Sequence, residues 1–189
     1  MVSVDSITLL KEIQQRCVKK GAEFKLASGA TSSIYVDSKG ITLHAASLKL
    51  LSDYFWQVWK DSGRELPQNL AGVSVGGDPL ASALALKALD FDIDANILLV
   101  RKERKDHGGS EGRAVEGKIA SQVKGKVFLV EDVMSTGASS AKALAFMRAE
   151  GYVVDEMWAI VDREMGAIER IEKEFSIPVR SLFKLSDLA

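Results

Sequence analysis

The sequence has a single cysteine, almost no net charge and no long apolar run, and each of these absences narrows the class of protein. Cys17 is the one cysteine among 189 residues, so no disulfide can form within the chain, which fits a reducing cytosol. The formal net charge of −1 gives no overall field that would attract nucleic acid or a membrane surface. No apolar run reaches transmembrane length, and the N-terminus lacks the basic segment of a signal peptide. These absences predict a cytoplasmic protein that binds neither nucleic acid nor membrane.

Four short apolar runs, separated by helical patterns, predict the fold class of the chain. Asp78 is placed to cap the helix that follows the first run, with Pro79 in the first helical turn. Buried apolar runs that alternate with helices are typical of a parallel sheet with helices on both faces. The runs are LAGVSV (70–75), ANILLV (95–100), VFLVED (127–132) and DEMWAIVD (155–162).

The first third of the chain has a different pattern. Ile7, Leu10, Ile13 and Cys17 recur at helical spacing, which predicts a first helix. The stretch FKLASGATSSIYVDSKG (24–40) has turn residues around short extended pieces, and this predicts a strand, a turn and a strand. No linker is long enough to divide the 189 residues, so we expect one domain over 1–189.

The stretch VFLVEDVMSTGASS, from Val127 to Ser140, carries the strongest functional signal. Glu131 and Asp132 end a predicted buried strand, where ligands of parallel sheets bind. Adjacent carboxylates on an extended chain point to opposite faces, so both reach one ligand only if the chain is already turning there. The following STGASS offers backbone N–H groups, hydroxyls and a helix N-terminus, which suit a phosphate. Together they predict a site for a ribose 5-phosphate; the alternative is a helix N-terminus with nearby acids.

Within this stretch, VFLVEDVMSTGAS (127–139) resembles the 5-phosphoribosyl-1-pyrophosphate (PRPP) signature of type I phosphoribosyltransferases. The resemblance implies an α/β fold with a central, mostly parallel sheet flanked by helices. It also implies a small N-terminal hood, formed by residues 1–40, of a helix and short strands over the base site. Glu131 and Asp132 would hold the ribose hydroxyls, and Gly76 and Gly77 would offer N–H groups to the pyrophosphate. The other implied PRPP contacts are Val133, Met134, Ser135, Thr136, Gly137, Ala138 and Ser139.

A basic segment, LVRKERKDHGGSEG (99–112), narrows the choice among the phosphoribosyltransferases. A charge run of this kind is usually a solvated face, but its glycines allow a mobile lid and a leaving pyrophosphate needs cations. Its Arg-Lys-x-x-Lys-x-His-Gly order resembles the catalytic loop of orotate phosphoribosyltransferases. With Asp132, the catalytic residues implied by this resemblance are Arg101, Lys102, Lys105 and His107.

Two further segments resemble the orotate site of the same family. In 24–40, the matching positions are Ser28, Gly29, Ser32, Tyr35 and Val36, and in IVDREMGA the matching arginine is Arg163. A guanidinium can hold the orotate carboxylate with two hydrogen bonds. The chain departs from many relatives at Ala27 and Gly76, where they carry lysine. The implied orotate contacts are Lys25, Tyr35, Val36, Thr136 and Arg163.

The resemblance also implies a cofactor and partners. The implied cofactor is Mg²⁺. Asp78 either contacts this ion through water or caps the next helix, and the sequence leaves both interpretations open. The substrates are PRPP and orotate, and the products are orotidine 5′-phosphate and pyrophosphate, in pyrimidine synthesis. The active form is a homodimer with shared sites, in which Lys105 and His107 of one subunit meet Glu131 and Asp132 of the other. The alternatives are a phosphoribosyltransferase for another nucleobase and a PRPP sensor without turnover.

Overall fold

The structure, a computed structural model, describes residues 5–25, 31–104, 112–117 and 126–189, with the side chains of Ala22 and Lys25 excepted. The first helix, α1 (Ser6–Cys17), is present as the spacing predicts. Its buried side differs slightly, because Leu9 is fully buried while Ile7 is exposed. No helix among the described residues combines the length and the apolar character that crossing a membrane would require.

The N-terminal region continues as a small antiparallel sheet of two strands, β1 (Val18–Lys25) and β2 (Thr31–Val36). This confirms the two predicted strands, while the predicted turn between them, at residues 26–30, lies outside the described residues. Two helices follow, the short α2 (Lys39–Thr42) and the long α3 (Ala45–Asp61). Phe55, Trp56 and Trp59 on α3 are buried, so this helix contributes much of the aromatic core.

The remaining strands form one six-stranded sheet in the order β5-β4-β3-β6-β7-β8. All neighbouring pairs are parallel except β4 with β5, which is antiparallel. This confirms the predicted mostly parallel sheet. The strands are β3 (Asn69–Val73), β4 (Asn96–Val100), β5 (Val115–Glu116), β6 (Val127–Met134), β7 (Val154–Asp162) and β8 (Val179–Lys184), and the helices between them are α4 (Gly77–Ala88), α5 (Ala138–Ala149) and α6 (Ala167–Phe175).

Helices cover both faces of the sheet, also as predicted. One buried cluster packs α3 and α4 on one face, through residues such as Trp56 and Leu84. The other cluster packs α5 and α6 on the opposite face, through residues such as Leu144 and Ile171. Because both faces are covered, every residue of the central strand β3 is buried.

The strand order reverses direction between β3 and β6. From β3 the chain moves to β4 at one side, and from β6 it moves to β7 and β8 at the other side. A crevice therefore opens beyond the carboxyl ends of these two neighbouring strands, where open α/β sheets bind their ligands.

The start of α4 corrects one expectation. The helix begins at Gly77 and its N-cap is Gly76, so Asp78 does not cap it. The physical reason is that both oxygens of the Asp78 carboxylate accept the hydroxyl of Ser74, at 2.9 and 2.8 Å. Pro79 does lie in the first helical turn, as predicted.

The course of β6 corrects a second expectation. The strand does not turn at the acid pair but continues to Met134, paired with β7. On the other side, its pairing with β3 ends at Gly72 and Val130. The strand therefore extends beyond β3, and Glu131 and Asp132 lie at an edge that no strand covers among the described residues.

Candidate active site

A cavity of about 700 Å³ lies beyond the carboxyl ends of β3 and β6. It brings together segments that are far apart in the sequence. Its lining consists of residues 35–39, 42–43, 73–76 and 131–140, with Lys102 and Arg163. Both residues of the acid pair are in this lining, on opposite faces of β6, because the cavity reaches around the uncovered strand edge.

Glu131 is the more buried member of the acid pair, with 6% of its surface exposed. Its Oε2 atom accepts a hydrogen bond from the hydroxyl of Ser140 on α5. Burial raises the pKa of Glu131 to about 7; the hydrogen bond from Ser140 and the charge of Lys102 oppose this rise, and the charge of Asp132 adds to it. The carboxyl group therefore changes charge close to neutral pH.

Asp132 points to the other face of the strand. Its Oδ2 atom accepts a hydrogen bond from the hydroxyl of Ser38, which follows β2. The carboxylate lies over Gly76, and a Cβ atom on that residue would be 2.0 Å from Oδ2. The glycine in this loop is therefore what leaves room for the acid.

The loop from Ser135 to Gly137 lies between β6 and α5 and has the form expected of an anion site. Gly137 is the N-cap of α5 with φ of 73°, a left-handed conformation that favours glycine. Arg170 on α6 donates a hydrogen bond to the Thr136 carbonyl at 3.2 Å. These contacts hold the loop, which lines the cavity together with the first turn of α5, and a helix N-terminus beside a cavity favours a bound phosphate.

The loop after β3 forms the opposite wall. Ser74, Val75 and Gly76 line the cavity, and a cis peptide bond joins Ser74 to Val75. Gly77 and Asp78 are behind this wall and are not part of the lining. Burial raises the pKa of Asp78, while the Ser74 hydrogen bond and the charge of Arg101 act in the opposite direction.

Arg163 is at the end of the cavity next to the N-terminal strands, with Tyr35 and Val36. Its Nη2 atom donates a hydrogen bond to the Ile34 carbonyl at 3.3 Å. Its Nε atom is buried and has no hydrogen-bond partner within the part of the chain that the structure describes. Burial lowers the pKa of Arg163, and nearby Tyr35 opposes this shift. A buried guanidinium with an unused donor is suited to an anionic group of a ligand.

The predicted basic residues divide into three groups. Lys102 lines the cavity. Arg101 does not, and its Nε atom donates to Oε1 of Glu116 at 3.0 Å. Lys105 and His107 lie outside the described residues, as do Ser28, Gly29 and the side chain of Lys25.

The structure brings most of the remaining predicted site residues together. Thr136 of the predicted orotate contacts is in the same lining as the acid pair. So are the other predicted PRPP contacts of β6 and its loop, namely Val133, Met134, Ser135, Gly137, Ala138 and Ser139. The sequence interpretation missed Ser38 and Ser140, which bond to the acids, and Lys39, Thr42 and Leu43, which line the cavity. The available signal for Ser140 was its place in the first turn of α5, directly after the motif.

The described residues of the site suit the Mg²⁺ implied by the sequence resemblance only as one or two of its ligands. Within the described ranges, no group of three His, Cys, Asp or Glu side chains could hold a metal ion. Mg²⁺ commonly keeps several waters and takes one or two carboxylates together with substrate phosphates. The acid content of the cavity is therefore adequate for a metal that arrives with a diphosphate.

The cavity at the point where the strand order reverses contains the acid pair, the loop from Ser135 to Gly137 and a buried arginine. Together these features define an α/β protein that binds a phosphorylated sugar. Comparisons with known proteins agree. The model of the phosphoribosyl transferase domain matches residues 38–177. The orotate phosphoribosyltransferase of Aquifex aeolicus is 37% identical over 190 residues, covering 100% of both chains. The chain belongs to the phosphoribosyltransferase family, among the orotate phosphoribosyltransferases.

Solved structures give the same answer for the fold. The crystal structure of orotate phosphoribosyltransferase from Aeropyrum pernix has a TM-score of 0.75 at 30% identity, covering 95% of this chain and 96% of that one. The Mycobacterium tuberculosis enzyme, crystallised in complex with PRPP, has a TM-score of 0.72 at 26% identity and covers 97% and 98%. The predicted type I phosphoribosyltransferase fold is thereby confirmed.

Proposed function

We propose that this protein is an orotate phosphoribosyltransferase, a pentosyltransferase of pyrimidine synthesis. It transfers ribosyl 5-phosphate from PRPP to N1 of orotate and releases orotidine 5′-phosphate and pyrophosphate. The observation that carries the proposal is that the acid pair, the anion loop and Arg163 line one cavity. These are the groups needed to hold a ribose, its phosphate and the carboxylate of a base.

Breaking the bond between C1 and the pyrophosphate oxygen places positive charge on the sugar and negative charge on the leaving group. Catalysis then depends mainly on fixed charges that match these developing charges. Glu131 and Asp132 accept hydrogen bonds from the ribose hydroxyls and favour the cationic ring. Because the pKa of Glu131 is about 7, this role is complete only when the group is ionised, above that pH.

The phosphates are bound by backbone groups and cations. The loop from Ser135 to Ser139 receives the 5-phosphate at the N-terminus of α5. The backbone of Gly76 and the Lys102 ammonium face the pyrophosphate, and Arg101 and Lys105 add positive charge nearby. His107 stabilises or protonates the leaving group. The backbone N–H of Gly77 is a weaker candidate, because the residue lies behind the cavity wall.

Asp78, which lies behind the cavity wall and is bonded to Ser74, would contact a Mg²⁺ ion that enters with the diphosphate, and only through water. When bound, the ion neutralises charge on the leaving pyrophosphate. The protein's own contribution is to hold the ribose in place and to bring N1 of the base next to C1, where the pyrophosphate leaves.

Orotate occupies the end of the cavity next to β2. Arg163 donates hydrogen bonds to its carboxylate, with Tyr35 and Val36 against the ring and Thr136 at the sugar side. Lys25 is the remaining proposed contact. Orotate N1 is a weak nucleophile unless the base is anionic, so alignment beside a cationic sugar carbon is what makes attack efficient.

Three further points belong to the proposal. Residues 1–189 act as one domain in which residues 1–40 form a hood over the base. The active form is a homodimer with shared sites, in which Lys105 and His107 reach the partner subunit's cavity. The enzyme works in the cytoplasm and has neither nucleic acid nor membrane as a partner.

A substrate comparison tests the proposal. With PRPP and Mg²⁺, we expect loss of orotate absorbance and release of pyrophosphate, and no release with adenine or hypoxanthine. The Arg163→Gln variant should raise the KM for orotate by about 100-fold or more, while the KM for PRPP stays close to the wild-type value. Turnover of a purine, or PRPP binding with no turnover of any base, would contradict the assignment.

A further inference from the structure

Two serines that were absent from the predicted site are hydrogen-bonded to the acid pair. Ser140 is 1% exposed and is the third residue of α5. Its hydroxyl donates to Oε2 of Glu131. Because a buried carboxylate is costly unless it is hydrogen-bonded, this contact supports the ionised form of Glu131 in particular.

The second serine comes from a different part of the chain. Ser38 is 6% exposed and lies between β2 and α2. Its hydroxyl donates to Oδ2 of Asp132, across 94 positions of sequence. This bond connects the N-terminal region directly to the end of β6.

The geometry of β6 explains why two separate serines are needed. The strand remains extended through the acid pair, so the two side chains point to opposite faces of the sheet. No single neighbouring element can hold both. α5 covers one face and provides Ser140, while the segment after β2 covers the other face and provides Ser38.

Each contact leaves part of the carboxylate free. Ser140 bonds to Oε2 of Glu131 and Ser38 to Oδ2 of Asp132, so each serine contacts one oxygen of its carboxylate. A carboxylate that is fixed through one oxygen presents the other in a defined direction, so that it can accept a ribose hydroxyl without losing further side-chain freedom.

We propose that Ser38 and Ser140 are positioning residues of the transfer reaction, each fixing one carboxylate of the acid pair against the sugar. The inference rests on the proposed function for its kinetic consequences, but the hydrogen bonds themselves can be tested without turnover. Neither serine belongs to the predicted PRPP or orotate contacts.

The charges that act on Glu131 are those of Asp132 and Lys102, and the Ser140 hydroxyl is its neutral partner. A hydrogen bond that is donated to a carboxylate favours its charged form and lowers its pKa. Removing the hydroxyl should therefore raise the pKa of Glu131. The same change should move the acid limb of the rate profile to higher pH, because the ionised form holds the sugar.

The first experiment follows the Glu131 carboxyl directly. Protein labelled with ¹³C at glutamate side chains is titrated by NMR, and the Glu131 signal is assigned by its loss in Glu131→Gln. In the wild type, the signal should titrate near the pKa of about 7. In Ser140→Ala it should titrate about one pH unit higher. Alanine is the best helix former, so this variant is expected to fold.

The second experiment measures kinetics. At pH 7, Ser140→Ala should lose about fivefold in kcat/KM, because a pKa one unit higher lowers the ionised fraction of Glu131 from about a half to about a tenth, and should recover most of the loss at high pH, where Glu131 is ionised again. Ser38→Ala should lose kcat by about tenfold with the KM for PRPP within about twofold, because the hydroxyl aligns an acid that still binds the sugar. Ser38→Thr, which retains the hydroxyl, should restore most of the activity.

Ser52→Ala is the matched control. Ser52 is also a buried serine whose hydroxyl is bonded, but its acceptor is the Ala83 carbonyl at 3.2 Å, away from the cavity. Its loss should change stability alone and leave the pH profile unchanged. An unshifted Glu131 titration and acid limb in folded Ser140→Ala, or wild-type kinetics in Ser38→Ala, would overturn the corresponding half of the inference. If the wild type turned over no orotate, the proposed function would fail, while the NMR titration would still decide the role of Ser140.

Discussion

The carboxylate of Asp132 occupies the space that a side chain at position 76 would fill. A Cβ atom on Gly76 would lie 2.0 Å from Oδ2 and 2.6 Å from Oδ1 of Asp132. Gly76 has an ordinary φ of −71°, so the glycine is required by this close approach and not by its backbone conformation. The glycine at position 76 is therefore coupled to the conformation of Asp132.

This relationship predicts the effect of Gly76→Ala. The new methyl group should push the Asp132 carboxylate away from Ser38, because a side-chain tip moves more easily than backbone. We expect kcat/KM for PRPP to fall by about 100-fold, as a misplaced catalytic group commonly causes, with little change in the free energy of unfolding. Steady-state kinetics and urea unfolding measure the two quantities.

Gly77→Ala is the control for that prediction. A Cβ atom on Gly77 would lie 2.5 Å from the backbone oxygen of Val130, which cannot move without shifting β6. This variant should therefore lose about 1–3 kcal/mol of stability. Wild-type kinetics in Gly76→Ala would show that Asp132 does not depend on this space.

The sequence indicated the central part of the fold because β3, β6 and β7 are largely buried on both faces and β4 is apolar although Ile97 is exposed. Such strands read as apolar runs, and β3, β4, β6 and β7 were all predicted from them. β8 was not predicted, because it lies at the sheet edge and alternates buried with exposed residues, Val179 and Arg180 being the first pair. β5 has only two residues, too few for any periodic pattern.

The candidate site, too, was predictable from the sequence only in part. Glu131, Asp132 and the following loop are adjacent in sequence, so their motif could be recognised. The contact of Ser38 with Asp132 joins residues 94 positions apart, and no local pattern encodes it. The exclusion of Arg101 from the cavity likewise depends on Glu116, which the return of the chain through β5 places beside it.

Burial of Glu131 predicts a stability that decreases with rising pH. Its pKa rises from 4.5 to about 7 on folding. Below pH 4.5 the group is protonated in the folded and the unfolded state and does not affect the free energy of unfolding. Between pH 4.5 and about 7, only the unfolded chain releases its proton. At about 1.4 kcal/mol for each pKa unit, the loss reaches on the order of 3 kcal/mol above pH 7.

Glu131→Gln removes this titration and keeps an acceptor for Ser140. We expect the variant to unfold like the wild type at pH 4 and to be more stable at pH 8, by up to about 3 kcal/mol, while it loses catalytic activity. Urea unfolding at the two pH values measures the difference. Glu23→Gln, at an exposed position, should follow the wild type at both. An equal effect of Glu131→Gln at pH 4 and pH 8 would contradict the prediction.

We predict that Lys39 contributes to the binding of the diphosphate. Among the described residues of the lining, the cations are Lys39, Lys102 and Arg163, and Lys39 directly follows Ser38. Its ammonium is 3.8 Å from Asp37, which also has Lys19 at 3.8 Å. Because Asp37 is shared between the two lysines and lies 3.8 Å from each, the Lys39 ammonium is available to an anion in the cavity.

We expect Lys39→Gln to raise the KM for PRPP and the inhibition constant of pyrophosphate about fivefold at low salt, and less at high salt, where exposed charges are screened. Lys19→Gln is the matched control, because Lys19 shares Asp37 but does not line the cavity. Its two constants should remain near those of the wild type. Equal effects of the two variants would mean that the overall charge, and not a contact, is responsible.

The proposed shared active sites of a homodimer predict that two inactive variants can complement one another. Lys105→Ala and Asp132→Asn should each be inactive as pure homodimers. After subunit exchange in an equal mixture, half of the dimers are mixed, and one of their two sites combines an intact acid pair with an intact Lys105. The mixture should therefore regain about a quarter of the wild-type activity. A mixture of Asp132→Asn with Glu131→Gln is the control and should stay inactive, because both acids belong to the same subunit's cavity. Native mass spectrometry verifies exchange; an inactive first mixture with verified exchange would show that each subunit completes its own site.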